Sequence, residues 1–309
     1  MVRAAVMALA VFMLLVLPAD AQSSAEECAA PEINVLATVG MIADVAANIG
    51  GTCVEVRALM GPGVDPHLYS ATERDVEYLF DADVIFYGGL HLEARMIDVF
   101  EQVREGLHKP VVAVSERVPE ELRLSADDYP DPHVWMDVSL WMSAAEEIRD
   151  TLVTYYPAHA DYFRANTDAY LAQMSELDQY VRDQIARIPE EQRLLVTAHD
   201  AFQYFSRAYG IEVYAPQGIS TQAEVGVQDI RDTIRLLVER RIPAIFVETS
   251  VSPDVIEAII AGAEAQGHAV TIGGSLFSDA MGDAGTPEGT YLGMIRANTD
   301  TIVSGLLGE

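Results

Sequence analysis

The chain has 309 residues, and its 48 Asp and Glu outnumber its 19 Lys and Arg, which gives a formal net charge of −29 at pH 7. Nucleic-acid-binding proteins meet the phosphate backbone with clustered Lys and Arg, so this charge excludes nucleic acid as a partner. Hydrophobic residues form 50% of the chain, which excludes the disordered and low-complexity classes. The acidity is typical of a highly soluble protein, with attraction of cations as the alternative role. A chain of this length usually folds as two domains.

The first 21 residues have the pattern of a secretory signal peptide. Arg3 precedes a continuous apolar run over 4–17, and Ala19-Asp20-Ala21 supplies a small-x-small cleavage site. The run is shorter than the roughly 20 residues that span a bilayer, which favours cleavage near Ala21 over an uncleaved anchor. The sequence therefore predicts export of the chain.

Two cysteines, Cys28 and Cys53, follow the signal segment. The residues before Cys28 are Ala25-Glu26-Glu27 and not a Leu-Ala-Gly type of lipidation sequence, which argues against a lipid-anchored N-terminus. In an exported protein two cysteines more often pair than not. Cys28 lies just before one predicted strand and Cys53 opens the next, so a bridge would join neighbouring strand starts. Two unpaired thiols are the alternative.

Short apolar strands alternate with helical patterns after residue 31, which indicates βα units and parallel sheets. The strands predicted for the first set are 33–38, 53–59, 84–87 and 111–114, with helices over 41–49, 71–80 and 93–106. The strands predicted for the second set are 194–197, 211–214, 244–247 and 269–272, with helices over 200–208, 224–240, 253–266 and 287–306.

The segment between the two sets carries apolar residues at helical spacing over 138–156 and again over 158–188, with Pro157 between them. A long helix is a stiff connector, unlike a Gly/Ser linker. The predicted fold is therefore α/β with two lobes, each a mostly parallel sheet flanked by helices, joined by one long rigid helix. The predicted lobes are 32–156 and 190–309, with the connecting helix over 158–188.

Four polar side chains follow predicted strands at the edge where ligands of α/β sheets collect. His67 and His133 each follow an Asp-Pro pair in the first lobe, and His199 and Asp279 follow strands of the second lobe. Proline stiffens its loop, which suits a metal ligand whose donor atom must lie about 2.0–2.2 Å from the ion. For any one of these histidines alone, a hydrogen-bonded loop or core residue is the alternative.

Eight short motifs carry a resemblance to a known family. They are TVGMI at 38–42, GVDPH at 63–67, GGLHLE at 88–93, DPHVWMD at 131–137, TAHDAF at 197–202, GIST at 218–221, VETS at 247–250 and LFSD at 276–279. In this order and spacing, the chain resembles the metal-binding receptors, or solute-binding proteins, of zinc and manganese ABC importers. The resemblance covers essentially the whole mature chain and is closest to the treponemal TroA type.

The resemblance implies that one divalent metal ion is bound between the lobes by His67, His133, His199 and Asp279. It further implies a monomeric periplasmic protein that captures the ion and delivers it to an ABC permease driven by a cytoplasmic ATPase. The alternative is an exported zinc metalloenzyme, because three histidines and a carboxylate also surround catalytic zinc. Catalytic sites keep a position open for water, whereas four protein ligands close the shell, so we expect a binding protein and not an enzyme.

The choice of metal follows from the same residues. Manganese-type members of the family have glutamate where this chain has His199, and zinc-dedicated members often carry a His/Asp-rich loop that is absent after His67. Three imidazoles and one carboxylate suit zinc, and a bidentate Asp279 would admit manganese. We expect zinc in vitro, and manganese stays the alternative.

Three acidic residues are expected to support the histidines. Asp65, Asp131 and Glu248 are each placed to accept the second N–H of a ligating imidazole, with a cap or turn carboxylate as the alternative. His91 also follows a strand, but the family motif around it does not use it as a ligand.

Overall fold

The structure is a computed structural model that describes residues 28–126 and 129–309. The predicted signal peptide, residues 1–21, lies outside the described residues. Within the described ranges, no helix is long and apolar enough to cross a membrane.

The N-terminal lobe is built on a four-stranded parallel sheet. Its strands are β1 (Ile33–Ala37), β2 (Val54–Ala58), β3 (Val84–Tyr87) and β4 (Val111–Ala113), in the order β2-β1-β3-β4. All four residues of β3 are buried, as expected for an inner strand of a parallel sheet covered by helices. The helices that follow the first three strands are α1 (Gly40–Gly50), α2 (Glu73–Asp81) and α3 (Ile97–Leu107).

A short antiparallel pair, β5 (Ser125–Ala126) and β6 (Tyr129–Pro130), leads from this lobe to the linking helices. The sequence does not predict this pair, because two residues per strand carry no alternation that could be recognised. The linking helices are α4 (Val138–Tyr155) and α5 (Ala160–Ile185), separated by a 3-10 turn that Pro157 begins. At 26 residues, α5 is the long connecting helix that was predicted.

The C-terminal lobe contains two parallel strand pairs. Its strands are β7 (Leu194–Val196) with β8 (Glu212–Tyr214), and β9 (Ala244–Glu248) with β10 (Thr271–Leu276). Its helices are α6 (Gln203–Tyr209), α7 (Val227–Arg240), α8 (Asp254–Ala265) and α9 (Tyr291–Leu307). The two-lobed α/β architecture is therefore confirmed, while the predicted boundaries at 156 and 190 stay predictions.

The last strand lies further along the chain than predicted. The prediction ended it at residue 272, but β10 continues through Gly273 and Gly274 to Leu276. A Cβ atom on Gly273 would lie 2.8 Å from the Phe246 ring, and Gly274 has a φ of 146° at a register shift against β9. These glycines therefore permit a bulge and a close approach within the strand and do not end it.

Two hydrophobic cores hold the lobes. The larger core runs from the N-terminal sheet through the linking helices to α9, and includes Phe86, Trp141 and Ile302. The smaller core lies between the C-terminal strands and helices α7 and α8, and includes Ile245 and Leu237. The N-terminal lobe, the linking helices and α9 thus share one continuous core.

A disulfide joins Cys28 to Cys53, as the sequence predicted. It links the segment before β1 to the 3-10 turn Gly51–Cys53 before β2. Cys53 therefore ends that turn and does not open the strand.

Candidate metal centre

The four side chains predicted as metal ligands meet between the two lobes. Each of them is 1% exposed or less, and one donor atom from each lies within 4.8 Å of the others. Nε2 of His67 is 3.4 Å from Nε2 of His133, and Nε2 of His199 is 3.2 Å from Oδ2 of Asp279. Nε2 of His133 is 3.3 Å from Oδ1 of Asp279. Three ring nitrogens and two carboxylate oxygens thus face a common point.

The two N-terminal donors stand on loops with the same local geometry. The backbone N–H of His67 donates to Oδ1 of Asp65 at 2.8 Å, and that of His133 donates to Oδ1 of Asp131 at 2.9 Å. These are the turns that an Asp side chain forms with the backbone two residues ahead. The intervening proline fixes its own φ, so each imidazole is presented from a stiff loop.

The two C-terminal donors follow the ends of β7 and β10. Glu248, the last residue of β9, accepts the backbone N–H groups of Ala198 and His199 on Oε1, at 2.8 and 2.9 Å. Next to Asp279, the carbonyl of Ser278 accepts the indole N–H of Trp135 from the other lobe at 2.9 Å. Trp135 belongs to the DPHVWMD motif, but its bond across the lobes was not predicted from the sequence.

Two of the three predicted carboxylate–imidazole contacts are confirmed. Oδ1 of Asp131 lies 2.7 Å from Nδ1 of His133, and Oε2 of Glu248 lies 2.5 Å from Nδ1 of His199. Each carboxylate orients its ring so that Nε2 points into the centre. The prediction for Asp65 is wrong, because its second oxygen accepts the hydroxyl of Thr221 at 2.5 Å and does not contact the ring of His67.

Electrostatics separates the three histidines. Burial lowers the pKa of His67 to about 4 despite the nearby Asp279. Burial also opposes charge on His133, but Asp131 and Asp279 outweigh it and raise the pKa of His133 to about 9. Glu248 and Asp279 likewise outweigh burial at His199 and raise its pKa well above 6.5. Burial acts against ionised Asp279, but His199 and His133 outweigh it and hold the pKa of Asp279 well below 3.8.

The centre contains buried polar atoms that lack a hydrogen-bond partner among the described residues. They are both carboxylate oxygens of Asp279 and Nε2 of His199. Buried polar groups are rarely left unpaired in native proteins, and such a group calls for an explanation. A cation at the common point would pair all three atoms. The donor set of three imidazoles and one carboxylate fits tetrahedral zinc, and the second oxygen of Asp279 would support a higher coordination number.

A cavity of about 540 Å³ lies beside the centre and reaches it at His67. His91 lines the cavity but is not among the four clustered donors, in agreement with its omission from the predicted set. The C-terminal lobe also lines the cavity, with Gly218, Ile219, Ser220, Gln222 and Ala223. Gln222 of this lining and its neighbour Thr221 contact the His67 loop and were missed from the sequence. Thr221 lies in the GIST motif, which was the one available signal.

The fold and the centre together define a two-lobed metal-binding protein of the extracytoplasmic receptor class. A family model described as zinc-uptake complex component A, periplasmic (ZnuA), matches residues 35–305. The chain belongs to this family. The zinc-binding protein TroA of Treponema pallidum is 50% identical over 273 residues, 88% of each chain. The manganese-binding lipoprotein MntA of Bacillus subtilis is 46% identical over 306 residues, 98% of this chain and 99% of that protein.

The solved structure of periplasmic zinc-binding protein TroA from Treponema pallidum has the same fold. It superposes with a TM-score of 0.87 at 49% sequence identity, and covers 89% of this chain and 99% of that one. The resemblance to metal-binding receptors of ABC importers, stated from the motifs alone, is therefore confirmed.

Proposed function

We propose that this protein captures one divalent transition metal ion outside the cytoplasmic membrane and delivers it to an ABC permease that a cytoplasmic ATPase drives. The observation that supports this most is the buried cluster of His67, His133, His199 and Asp279, two donors from each lobe. Because the donors come from both lobes, the bound ion would tie the lobes together. These four residues are the proposed ligands.

Zinc is the proposed cargo, with manganese second. Three imidazoles, each of which binds a metal in its neutral form, favour zinc, which also exceeds manganese in affinity at most nitrogen and oxygen sites. The two unpaired oxygens of Asp279 support manganese as the second cargo, because bidentate coordination raises the ligand number. The names of the relatives agree with both, since TroA is called zinc-binding and MntA manganese-binding.

We infer that the protein does not act as a metalloenzyme. Four protein donors complete a tetrahedral shell, whereas a catalytic zinc keeps one position for water or substrate. The family is one of metal-uptake components, which supports the same conclusion.

We propose that the chain is cleaved near Ala21 and resides in the periplasm. We further propose that it acts there as a monomer without nucleic-acid partners. Several relatives are named lipoproteins. In this chain the thiol of Cys28 is bonded to Cys53, and a thiol in a disulfide is not available for acylation. This supports a protein that is not lipid-anchored through Cys28.

A metal titration tests the proposal. The mature chain, stripped with a chelator, should bind one equivalent of Zn²⁺ and melt at a higher temperature when loaded, because ligands that bind only the native state stabilise it. His91→Ala is the matched control and should keep one equivalent, since His91 lies outside the four clustered donors. Absence of binding and of a thermal shift with both Zn²⁺ and Mn²⁺ would contradict the proposal.

A further inference from the structure

The three histidines of the centre are held in two different ways. A buried carboxylate contacts Nδ1 of His133 and another contacts Nδ1 of His199. Across the part of the chain that the structure describes, no carboxylate hydrogen-bonds Nδ1 of His67. The orientation of His67 must therefore come from its backbone and from its packing.

The backbone of His67 is held from the opposite lobe. Gln222 donates its side-chain N–H to the carbonyl of His67 at 2.9 Å. Thr221 donates its hydroxyl to Oδ2 of Asp65 at 2.5 Å, and the other oxygen of Asp65 accepts the N–H of His67 at 2.8 Å. Two consecutive residues of the C-terminal lobe thus hold the carbonyl of His67 directly and its N–H through Asp65.

The loop that carries these two residues is anchored at the C-terminal half of the centre. Gln217 donates to the carbonyls of Thr221 and Ala223, at 3.1 and 2.7 Å. Gln217 also pairs with His199 in an isolated β-bridge. The loop therefore connects the position of His199 directly to the position of His67.

The cavity meets the centre on the same side. Of the four clustered donors, His67 alone lines the cavity of about 540 Å³, and Gln222 lines it as well. An ion that leaves through this cavity passes His67, and separation of the lobes at the cavity breaks the bonds of Thr221 and Gln222.

We propose that Thr221 and Gln222 are positioning residues that hold His67 in the metal-binding arrangement from across the cleft, and that His67 is the donor that opens when the ion leaves. This inference rests on the proposed function, and it adds the residues that set the rate of release. His133 and His199 stay in place because each has its own carboxylate.

Zinc dissociation from the loaded mature chain tests the inference. Stopped-flow mixing with excess chromophoric chelator should give release about fivefold faster for Thr221→Val and for Gln222→Ala, since each variant loses one hydrogen bond of the closed form. Stoichiometry should stay at one zinc. Thr221→Ser should release at the wild-type rate, because the hydroxyl is retained. Thr271→Val, which removes a hydroxyl bond to the carbonyl of Pro243 inside the C-terminal lobe, is the matched control.

A double-mutant comparison separates positioning of His67 from general closure of the lobes. In His67→Ala, the further change Thr221→Val should not accelerate release, because the donor that Thr221 positions is gone. Adding Thr221→Val to Asp65→Ala gives a second test, because that chain keeps all four donors but lacks the carboxylate that accepts the Thr221 hydroxyl. Undiminished acceleration in either background would overturn the inference, as would wild-type release rates in both single variants. A wild-type chain that binds no zinc would instead refute the proposed function, and this inference with it.

Discussion

The two Asp-Pro-His loops of the N-terminal lobe have the same tripeptide and the same backbone turn, yet the side chains of their aspartates contact different partners. Asp131 contacts the ring of His133, whereas Asp65 contacts Thr221 of the other lobe. The tripeptide fixes the local backbone because proline and the Asp turn are local effects. In the second loop, Oδ1 of Asp131 accepts the backbone N–H of His133 and also contacts its ring. In the first loop, Asp65 instead uses its second oxygen, to accept the hydroxyl of Thr221.

The same difference divides the centre into a fixed part and a part that depends on closure. His133 and His199 are oriented within their own lobes by buried carboxylates. Within the described part of the chain, His67 has no such carboxylate on its ring, and beyond its own Asp turn its loop is held by Thr221 and Gln222 of the other lobe. A receptor must hold its ion and also release it, and an arrangement of two fixed donors and one closure-dependent donor serves both needs.

Removal of a donor should have the largest effect. His133→Ala or Asp279→Ala should lower zinc affinity by more than the roughly 10–100-fold that loss of an outer partner costs, because a metal bond is lost outright. His67→Ala should lower affinity as well and should leave His133 and His199 in their carboxylate-bound orientation. Competition with a chelator of known affinity measures all three. Near-native binding in each variant would refute the ligand assignment.

Removal of the carboxylates that orient the rings should have the next largest effect and should separate the two loops. Asp131→Asn and Glu248→Gln should each lower zinc affinity about 10–100-fold, because each disturbs a ring tautomer and its direction. Asp65→Asn should lower it less, since Asp65 does not contact a ring. The same competition assay applies, and equal losses for Asp65→Asn and Asp131→Asn would contradict the comparison.

The positions of the four donors were predictable because each lies in a loop after a strand. Two of these loops also carry an Asp-Pro pair directly before the histidine. The loops of His67, His199 and Asp279 follow strands of parallel pairs, at the carboxyl edge where such loops converge. His133 instead follows the short antiparallel strand Tyr129–Pro130. The roles of Asp65 and Asp131 could not be distinguished, because the same three residues occur at both places. Thr221 and Gln222 could not be assigned contacts, because their partners are about 155 residues away and depend on how the lobes meet.

Most helices and strands were also predictable within a few residues from their apolar periodicity. The strand over Thr271–Leu276 was misplaced, since its two glycines resemble a turn locally and are explained only by the nearby Phe246 ring. The pair of strands at Ser125–Ala126 and Tyr129–Pro130 was missed because so few residues give no pattern.

The stability of the metal-free chain should depend on pH in opposite ways through His67 and through His133. A histidine whose pKa rises on folding stabilises the protein fully below the unfolded value, and that stability is lost as pH rises through the folded value. The pKa of His133 is raised from 6.5 to about 9, so its contribution should fall away between those values. The pKa of His67 is lowered to about 4, so its contribution has the opposite sign and weakens stability as pH falls below 6.5.

Melting temperatures of metal-free variants across this range measure the difference. Relative to wild type, His133→Ala should lose less stability between pH 6.5 and 9, and His67→Ala should lose less between pH 6.5 and 4. Saturating zinc should abolish the alkaline loss in wild type, because a bound imidazole no longer exchanges its proton. If the melting temperatures of the two variants changed with pH in the same way, the opposite pKa shifts of His67 and His133 would be contradicted.

The disulfide should have the smallest effect on metal binding, because it lies at the other edge of the N-terminal sheet. Cys53 precedes β2 and His67 follows it, so the five-residue strand, about 17 Å long, separates them. Cys28→Ser with Cys53→Ser should therefore leave zinc affinity unchanged while it lowers stability by about 3 kcal/mol, since it frees a loop with a sequence separation of 25. Denaturant unfolding and zinc competition measure the two quantities. A thiol assay on the denatured, unreduced wild-type chain should find no free thiol. A large loss of zinc affinity in the double variant would show that the amino edge of the sheet is coupled to the centre, and that the fixed part of the centre extends beyond its carboxylates.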